Sequence, residues 1–216
     1  MRISVIHPTR NRPKQAYQTW SNWYDKADNV FEYILSIDED DKYDYLEFPC
    51  KVLTRPNKSA IEAINNAVKF ITGDLIIVIS DDFDAPDHWD TLLLNELKDK
   101  TDFLLKTDDG LQPTLVTLPI LDRVYYNRFG YVYHPDYKHM WADTEMTAVA
   151  LMIGKCIKSD LSFPHLHYST GKSPKDEINV RNDATWKQGE RLFNERLKTN
   201  FGITEPVMAY SDIKWK

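Results

Sequence analysis

The chain has 216 residues, 42% of them hydrophobic, a length and composition suited to one large folded domain with a buried core. Its formal charge of −6 gives no general basic surface, so the composition argues against non-specific nucleic-acid binding. The two cysteines, Cys50 and Cys156, fit no metal-binding spacing, which favours free thiols in a reducing compartment over a disulfide framework or a zinc site.

The first part of the chain alternates between strand-like and helix-like segments, the order typical of a mostly parallel sheet covered by helices. Apolar or β-branched runs predict the strands, and apolar residues at helical spacing predict the helices. Within one predicted helix, Ile61, Ile64, Val68 and Ile71 share a face, and Gly73 is expected just after its end. The predicted elements are strand 3–8, helix 12–27, strand 30–38, strand 50–54, helix 59–73, strand 74–80 and helix 85–99.

The second half of the sequence is less regular. Its patterns predict strands over 102–109, 113–119 and 161–169 and helices over 120–130, 142–155 and 183–202. Because the sequence contains no internal repeat, low-complexity tract or linker rich in Pro, Gly or Ser, we predict a single domain. The predicted fold class is α/β, with a mixed, mostly parallel sheet flanked by helices.

Charged residues follow three of the predicted strands, at the edge where open α/β sheets bind their ligands. Aspartates this close together disfavour each other's ionisation unless a cation binds among them. Basic and hydroxyl groups beside two carboxylate clusters favour a ligand with both phosphates and sugar hydroxyls, and a divalent cation between the phosphates and the carboxylates. The clusters are residues 7–12 after the first strand, Asp38, Glu39 and Asp40 after the second, and Asp81, Asp82 and Asp84 after strand 74–80.

Two plainer interpretations of these clusters stay open. The aspartates at 81–84 suit the capping of the following helix, a common use of Asp, although Asp87 beside Pro86 already suits that role. The acidic loop at 38–41 is also typical of a solvated surface.

Four segments of the sequence resemble, in this order, the hallmark motifs of family-2 glycosyltransferases with the GT-A fold. The resemblance covers residues 1–90 well and the remainder weakly. It implies one Rossmann-like GT-A domain over 1–216, in which 1–90 bind a nucleotide sugar and 91–216 form the acceptor and catalytic half with the C-terminal helix. The four segments are ISVIHPTRNRP, LSIDEDD, NKSAIEAINNAVKFITGD and LIIVISDDFDAPDHW.

The resemblance also implies a site for a nucleotide-sugar donor and a metal ion. Asp82 and Asp84 stand at the positions of the DxD motif, which binds Mn²⁺ or Mg²⁺ and bridges it to the donor diphosphate. Asp38 is expected to contact the nucleotide base or ribose, and Asp81 the ribose or the donor sugar. The expected donor-binding residues are Pro8, Thr9, Arg10, Arg12, Asp38, Asp81, Asp82 and Lys172.

A third metal ligand is expected from the second half, because some metal-dependent GT-A enzymes recruit a C-terminal histidine. His167 is the implied ligand, with His165 as its substitute, and the loop at 169–172 is expected to close over the diphosphate. Since both histidines are predicted on one face of a strand, a purely structural role is the alternative.

The segment WADTEM resembles the start of the family's catalytic helix, with Ala142 where a glutamate often stands. The resemblance implies Asp143 as the catalytic base and Glu145 as the second choice. The helix N-terminus is expected to lower the pKa of Asp143. The alternative is a helix cap with an acidic first turn, and Trp141 is either an acceptor platform or a core residue.

These features predict a metal-dependent hexosyl- or pentosyltransferase that moves a sugar from a nucleotide diphosphate donor to an acceptor hydroxyl on a glycan, a protein or a modified nucleobase. A nucleotidyltransferase that makes sugar nucleotides is the second hypothesis, but HPTRNRP lacks the glycines of a phosphate loop. A non-catalytic module that binds nucleotide sugars or carbohydrates is the third. No stretch reaches about 18 apolar residues and no signal-peptide pattern is visible, so we expect a soluble, cytoplasmic protein without a membrane span.

Overall fold

One mixed sheet organises the fold. In the residues that the computed structural model describes, 1–45, 47–205 and 207–214, it has seven strands: β1 (Ile3–Pro8), β2 (Glu32–Asp38), β3 (Lys51–Arg55), β4 (Leu75–Val78), β5 (Leu104–Asp108), β6 (Ile120–Asp122) and β7 (Cys156–Ser162). Their order is β3-β2-β1-β4-β6-β5-β7. Neighbours from β3 to β4 are parallel, β6 is antiparallel to both of its neighbours, and β7 is parallel to β5. The predicted α/β class with a mixed, mostly parallel sheet is confirmed.

Helices cover both faces of the sheet. The described ranges contain α1 (Pro13–Asp25), α2 (Ala60–Ala67), α3 (Trp89–Leu97), α4 (Arg123–Phe129), α5 (Ala142–Met152), α6 (Glu177–Asp183) and α7 (Trp186–Leu197). Successive strand side chains point to opposite sides of a sheet. On one face, Ile6 and Ile76 therefore pack in a core with α2, α4, α5 and α7. On the other face, Val5 and Ile77 pack with α1 and α3.

The elements of the first half agree with their predicted positions, with a correction at the end of α2. The helix predicted over 59–73 ends at Ala67 and is followed by a 3₁₀ turn at Val68–Phe70. Gly73 is not a left-handed cap residue. A Cβ atom at Gly73 would lie 2.4 Å from Oγ of Ser4 and 2.8 Å from its backbone N, so glycine is required for a close approach to β1. The predicted capping role of Gly73 is therefore wrong.

The start of α3 also differs from its prediction. The helix begins at Trp89, and its N-cap residue is His88 with a left-handed φ of 60°. No described side chain caps this N-terminus, so the predicted cap at Asp87 is wrong, and so is the capping interpretation of 81–84. Asp90 in the first turn is buried and accepts hydrogen bonds from two backbone N–H groups, at 28 and 29, of the loop between α1 and β2.

The second half departs further from its predicted elements. The structure, which describes all of 113–119, has no strand there. The strand is β6, and its last residue, Asp122, caps α4 by accepting a 2.9 Å hydrogen bond from the backbone N–H of Tyr125. The helix predicted over 120–130 is therefore limited to α4, which ends at Phe129 and has Gly130 as its C-cap residue, with a φ of 73°.

The histidine segment and the C-terminal helices differ as well. β7 ends at Ser162, so His165 and His167 lie in the loop after it and not on one strand face. The helix predicted over 183–202 is the shorter α7, and the unpredicted α6 precedes it. The helix predicted over 142–155 is confirmed as α5. Within the described ranges, no helix combines the length and the apolar composition needed to cross a bilayer.

Candidate active site

The carboxyl ends of β1 and β2 are joined by an arginine that contacts two aspartates. Arg10 donates a 2.5 Å hydrogen bond to Oδ2 of Asp38 and two hydrogen bonds, of 2.5 and 2.7 Å, to the carboxylate of Asp40. The bonds with Asp40 are the main cause of the raised pKa of Arg10, and they lower the pKa of Asp40. Asp38 is 7% exposed and also accepts a 3.1 Å hydrogen bond from Nδ2 of Asn57. The acidic loop is therefore tied to β1 and is not simply a solvated surface.

A cleft of about 390 Å³ opens beside Asp38. Its walls come from the loop at 39–45 and from Val52 and Thr54 of β3. At the end of β1, Pro8 pairs with β2 in the sheet, and the buried hydroxyl of Thr9 has no hydrogen-bond partner among the described residues. This corner of the sheet thus has an open space beside Asp38, whereas the unused hydroxyl of Thr9 is buried and does not line the cleft.

Arg12 lies between two carboxylates from distant parts of the chain. It donates to Asp176 through Nε (2.7 Å) and Nη2 (2.6 Å), and to Oδ2 of Asp81 through Nη1 (3.3 Å). Oδ1 of Asp81 is 2.9 Å from Nε2 of His7, whose Nδ1 is 2.6 Å from the hydroxyl of Tyr33. Only 6% of the Asp81 side chain is exposed. Asp81 therefore supports Arg12 from inside, and its direct contact with a donor stays a prediction.

The turn after β4 carries one anchored aspartate and one aspartate without a partner. Oδ2 of Asp82 is 3.2 Å from Nε2 of His165, and Oγ of Ser80 donates a 2.5 Å hydrogen bond to Oδ1. Burial disfavours the charged form of Asp82, but the hydrogen bonds with His165 and Ser80, together with the charge interactions with His165 and His167, outweigh it and lower the pKa to about 2. Asp84 is half-buried, and its carboxylate makes no hydrogen bond or ion pair in the described part of the chain. The DxD pair thus has one carboxylate held in place and one that is free to bind a ligand.

The loop after β7 folds back on this turn. Phe83 and His165 form an antiparallel bridge, and their rings stack with centroids 4.1 Å apart. The His167 ring lies 5.1 Å from the His165 ring, and its Nδ1 is 2.8 Å from Oγ of Ser169. Burial lowers the pKa of His167, and the neighbouring His165 lowers it further, so the neutral imidazole that metal ions require predominates at pH 7. Both histidines are thus near the DxD turn, with His165 in direct contact.

Asp143, at the start of α5, has an environment different from the predicted one. It is half-buried, and burial raises its pKa, with hydrogen bonds from Thr144 and the nearby charge of His165 opposing the rise. The predicted lowering of the pKa by the helix N-terminus is therefore wrong. A raised pKa makes the Asp143 carboxylate a stronger base than an exposed aspartate.

Glu145 and Trp141 belong to the packing of α5 against α7. Glu145 is 3% exposed and binds Nε of Arg196 at 2.8 Å and the hydroxyl of Tyr137 at 2.8 Å. The Trp141 ring lies 5.2 Å from the ring of Phe193. These contacts give Glu145 a structural role, favour the core interpretation of Trp141, and leave Asp143 as the candidate base.

The first half of the sequence matches a known protein family. Residues 4–109, about half of the chain, match the family described as glycosyl transferase family 2. The first half of the chain thus carries the sequence signature of glycosyl transferase family 2. The four segments that carried the resemblance lie almost entirely within this range. No curated protein sequence matches the chain significantly.

Solved structures share the fold of this chain over a longer stretch than the family match covers. The mannosyltransferase PcManGT from Pyrobaculum calidifontis, in complex with GDP-Man and Mn²⁺, matches with a TM-score of 0.60 at 17% identity, over 76% of this chain and 56% of that one. TarS from S. aureus matches with a TM-score of 0.61 at 14% identity, over 76% and 36%. Glucosyl-3-phosphoglycerate synthase from Mycobacterium tuberculosis, in complex with Mn²⁺, UDP and phosphoglyceric acid, matches with a TM-score of 0.57 at 13% identity, over 76% and 70%. The similarity confirms the GT-A fold, and the chain spans about half or less of the first two proteins.

The side chains at and beside the DxD turn have the ligand chemistry that a divalent cation such as Mn²⁺ or Mg²⁺ requires. Asp82 is ionised, Asp84 has an unpartnered carboxylate, and His167 is a neutral imidazole. Hard cations prefer carboxylate and phosphate oxygens. Within the described ranges, no three His, Cys, Asp or Glu side chains are grouped closely enough to hold a metal alone. These side chains therefore do not by themselves complete a coordination shell.

Two residues to which the sequence assigned no role, His139 and Asp176, lie near this edge of the sheet. His139 lies near Asp82, and burial lowers its pKa to about 4. Asp176 binds Arg12 across 164 positions of sequence, and no local pattern marks such a contact. Lys172, by contrast, is exposed and makes no hydrogen bond or ion pair in the described part of the chain, so its role at the diphosphate stays a prediction.

Proposed function

We propose that the protein is a metal-dependent glycosyltransferase that moves a hexosyl or pentosyl group from a nucleotide diphosphate sugar to an acceptor hydroxyl. One observation carries the proposal. Within the range that matches the family, the ionised Asp82 and the unpartnered Asp84 lie at the same edge of the sheet as Arg10 and Arg12. Carboxylates bind hard cations and arginines bind phosphates, so this edge suits a diphosphate held together with a metal ion. Two solved structures of the same fold, one with GDP-Man and Mn²⁺ and one with UDP and Mn²⁺, support it.

The donor is proposed to lie along the carboxyl ends of β1, β2 and β4. Its base or ribose meets Asp38 beside the cleft, with Pro8 and Thr9 expected close by. Its diphosphate meets Arg12, whose planar guanidinium binds phosphate through two parallel hydrogen bonds. Lys172 is expected to approach the diphosphate from the loop that follows the two histidines.

Asp143 is proposed as the base of the transfer. It accepts the proton of the acceptor hydroxyl while that oxygen bonds to the anomeric carbon and the bond from this carbon to the diphosphate breaks. Asp82, Asp84 and His167 are the residues proposed to hold Mn²⁺ or Mg²⁺ once the donor brings them closer together, and the ion would supply positive charge to the leaving diphosphate. The raised pKa of Asp143 supports this role, because the reaction needs a carboxylate with an increased affinity for a proton. The acceptor hydroxyl is expected on a glycan, a protein or a modified nucleobase.

Nucleotide binding tests the donor site. Calorimetry with UDP, GDP, CDP and TDP should show binding of at least one diphosphate that depends on Mn²⁺. Asp84→Asn should abolish this dependence with little effect on stability, because the Asp84 side chain has no contact to lose in the described part of the chain. Asp87→Asn removes an exposed carboxylate from the same loop and is the matched control, for which we expect wild-type binding.

Donor turnover distinguishes a transferase from a binding module. Release of the nucleoside diphosphate from its sugar, with glycan, protein and nucleoside acceptors supplied in turn, should occur with the wild type. Binding without release for every acceptor would indicate a non-catalytic nucleotide-sugar module. Absence of diphosphate binding under all conditions would refute the donor site.

A further inference from the structure

A polar segment at 168–185, here called the cover segment, lies against the carboxyl end of β1. It contains a 3₁₀ turn at Tyr168–Thr170 and the helix α6, and none of the residues in these two elements, all of which the structure describes, is buried. A helix of seven residues is too short to be stable in isolation and normally depends on an apolar face packed on a core. The position of the cover segment therefore depends mainly on polar contacts.

Two polar contacts hold α6 over the sheet edge. Asp176, the N-cap residue of α6, accepts hydrogen bonds from both Nε and Nη2 of Arg12, at 2.7 and 2.6 Å. At the other end of the helix, Arg181 donates a 3.3 Å hydrogen bond to the backbone carbonyl of Lys58. The pairing of Asp176 with Arg12 has two parallel hydrogen bonds, a geometry that a phosphate also makes with arginine. Asp176 thus occupies the edge of Arg12 that a phosphate would use.

The remaining contact of Arg12 is anchored in the core. Its Nη1 faces Asp81, which is held in turn by the fully buried His7. Because Asp81 is attached to the sheet and not to the cover segment, departure of Asp176 would leave Arg12 in place with its Nε and Nη2 edge unpaired. An unpaired, partly buried guanidinium edge is a strong site for an anion.

We propose that Asp176 competes with the donor diphosphate for Arg12, so that α6 with its N-cap Asp176 leaves Arg12 when the donor binds and returns when the nucleoside diphosphate departs, while the loop at 169–172 stays near the diphosphate. The inference rests on the proposed function, because it takes the diphosphate as the ligand of Arg12. Arg12 has an anionic partner in both states, and Asp176, which is already partly exposed, becomes hydrated when it leaves. Since α6 buries no residue, its movement gives up little apolar contact.

Asp176→Asn tests the competition while it preserves the helix cap, because asparagine caps helices about as well as aspartate. Loss of the competing charge should tighten the binding of UDP or GDP, each with Mn²⁺, by about 3- to 10-fold, the range for a partly exposed, charged hydrogen-bonded pair. Uridine and guanosine, which lack phosphates, should bind the variant and the wild type equally. Glu177→Gln removes the adjacent exposed carboxylate and should leave every affinity unchanged.

Hydrogen exchange of the wild type gives a second measurement that needs no variant. Backbone amides of α6, at 177–183, should exchange faster after UDP or GDP is added with Mn²⁺. Equal or weaker diphosphate binding by Asp176→Asn, the same gain in Glu177→Gln, or slower exchange in 177–183 would each overturn the competition while the donor site stands. A wild type that binds no nucleoside diphosphate would overturn the proposed function as well.

Discussion

Replacement of Glu145 by glutamine separates a structural carboxylate from a catalytic one. Glu145 is buried, and its oxygens accept hydrogen bonds from Nε and Nη2 of Arg196, at 2.8 and 2.9 Å, and from the hydroxyl of Tyr137. Glutamine has the same shape but no charge, so Arg196 loses its counter-ion. Removal of one partner from a buried ion pair costs about 3–5 kcal/mol. Because Arg196 is 19% exposed and still binds the backbone carbonyl of Phe201, we expect the lower end, about 3 kcal/mol.

Urea and thermal unfolding measure this cost. For a chain of this length, about 3 kcal/mol corresponds to a Tm roughly 6–12 °C lower. Donor turnover by the folded Glu145→Gln variant should stay near the wild-type rate. The control is Glu195→Gln, whose exposed pair with Arg191 is 3.9 Å long, and it should change stability by less than about 0.5 kcal/mol. A Glu145→Gln variant as stable as the wild type but without turnover would refute the structural assignment and make Glu145 the candidate base.

Three further substitutions have defined outcomes. Gly73→Ala should lower the free energy of unfolding, measured in urea, by about 2 kcal/mol or more, because the new Cβ atom would lie 2.4 Å from Oγ of Ser4. Unchanged stability would contradict the close approach of the Gly73 backbone to β1. Asp143→Asn should bind donor like the wild type but lose transfer by about 10²–10⁴-fold, and the wild-type rate should rise with pH through a pKa above that of an ordinary aspartate, because only the ionised form accepts a proton. Hydrogen bonds from Arg128 are the main cause that lowers the pKa of Asp102 to about 2. The ionised Asp102 therefore stabilises the fold fully above the unfolded-state pKa of about 3.9, and this stabilisation is lost as the pH falls through about 2. The free energy of unfolding of Asp102→Asn, measured between about pH 7 and pH 2, should lack this acid-dependent loss.

The sheet edge was predictable because local pattern and packing coincide there. β1 and β4 are strands buried on both faces, and the direction of parallel strands alone places the residues that follow them at one edge. The neighbourhood of Arg10 with Asp38, and the position of Asp82, follow from this rule without any knowledge of side-chain contacts.

The rest of the site depends on contacts between distant segments, which a local pattern does not contain. Val116 and Leu118 are buried, but an apolar pattern does not distinguish a run that pairs in a sheet from one that packs beneath a helix. The polar α6 has no apolar periodicity that would predict it. The pKa of Asp143 was predicted from its position at a helix N-terminus, whereas burial by the folded chain acts in the opposite direction and prevails.

The placement of β6 has a consequence for how the chain folds. Residues 4–109 include β5, yet β6, at Ile120–Asp122, lies between β4 and β5 in the sheet. A fragment that ended at 109 would leave β4 and β5 about 10 Å apart, with one strand missing between them. The turn at 82–84 would also lack its bridge to His165. Pairings between such distant segments form slowly, because the loop must close before any contact stabilises it. We therefore expect the sheet to be completed only after both halves of the chain have been synthesised. The part that carries the family signature is accordingly not expected to fold as an independent unit.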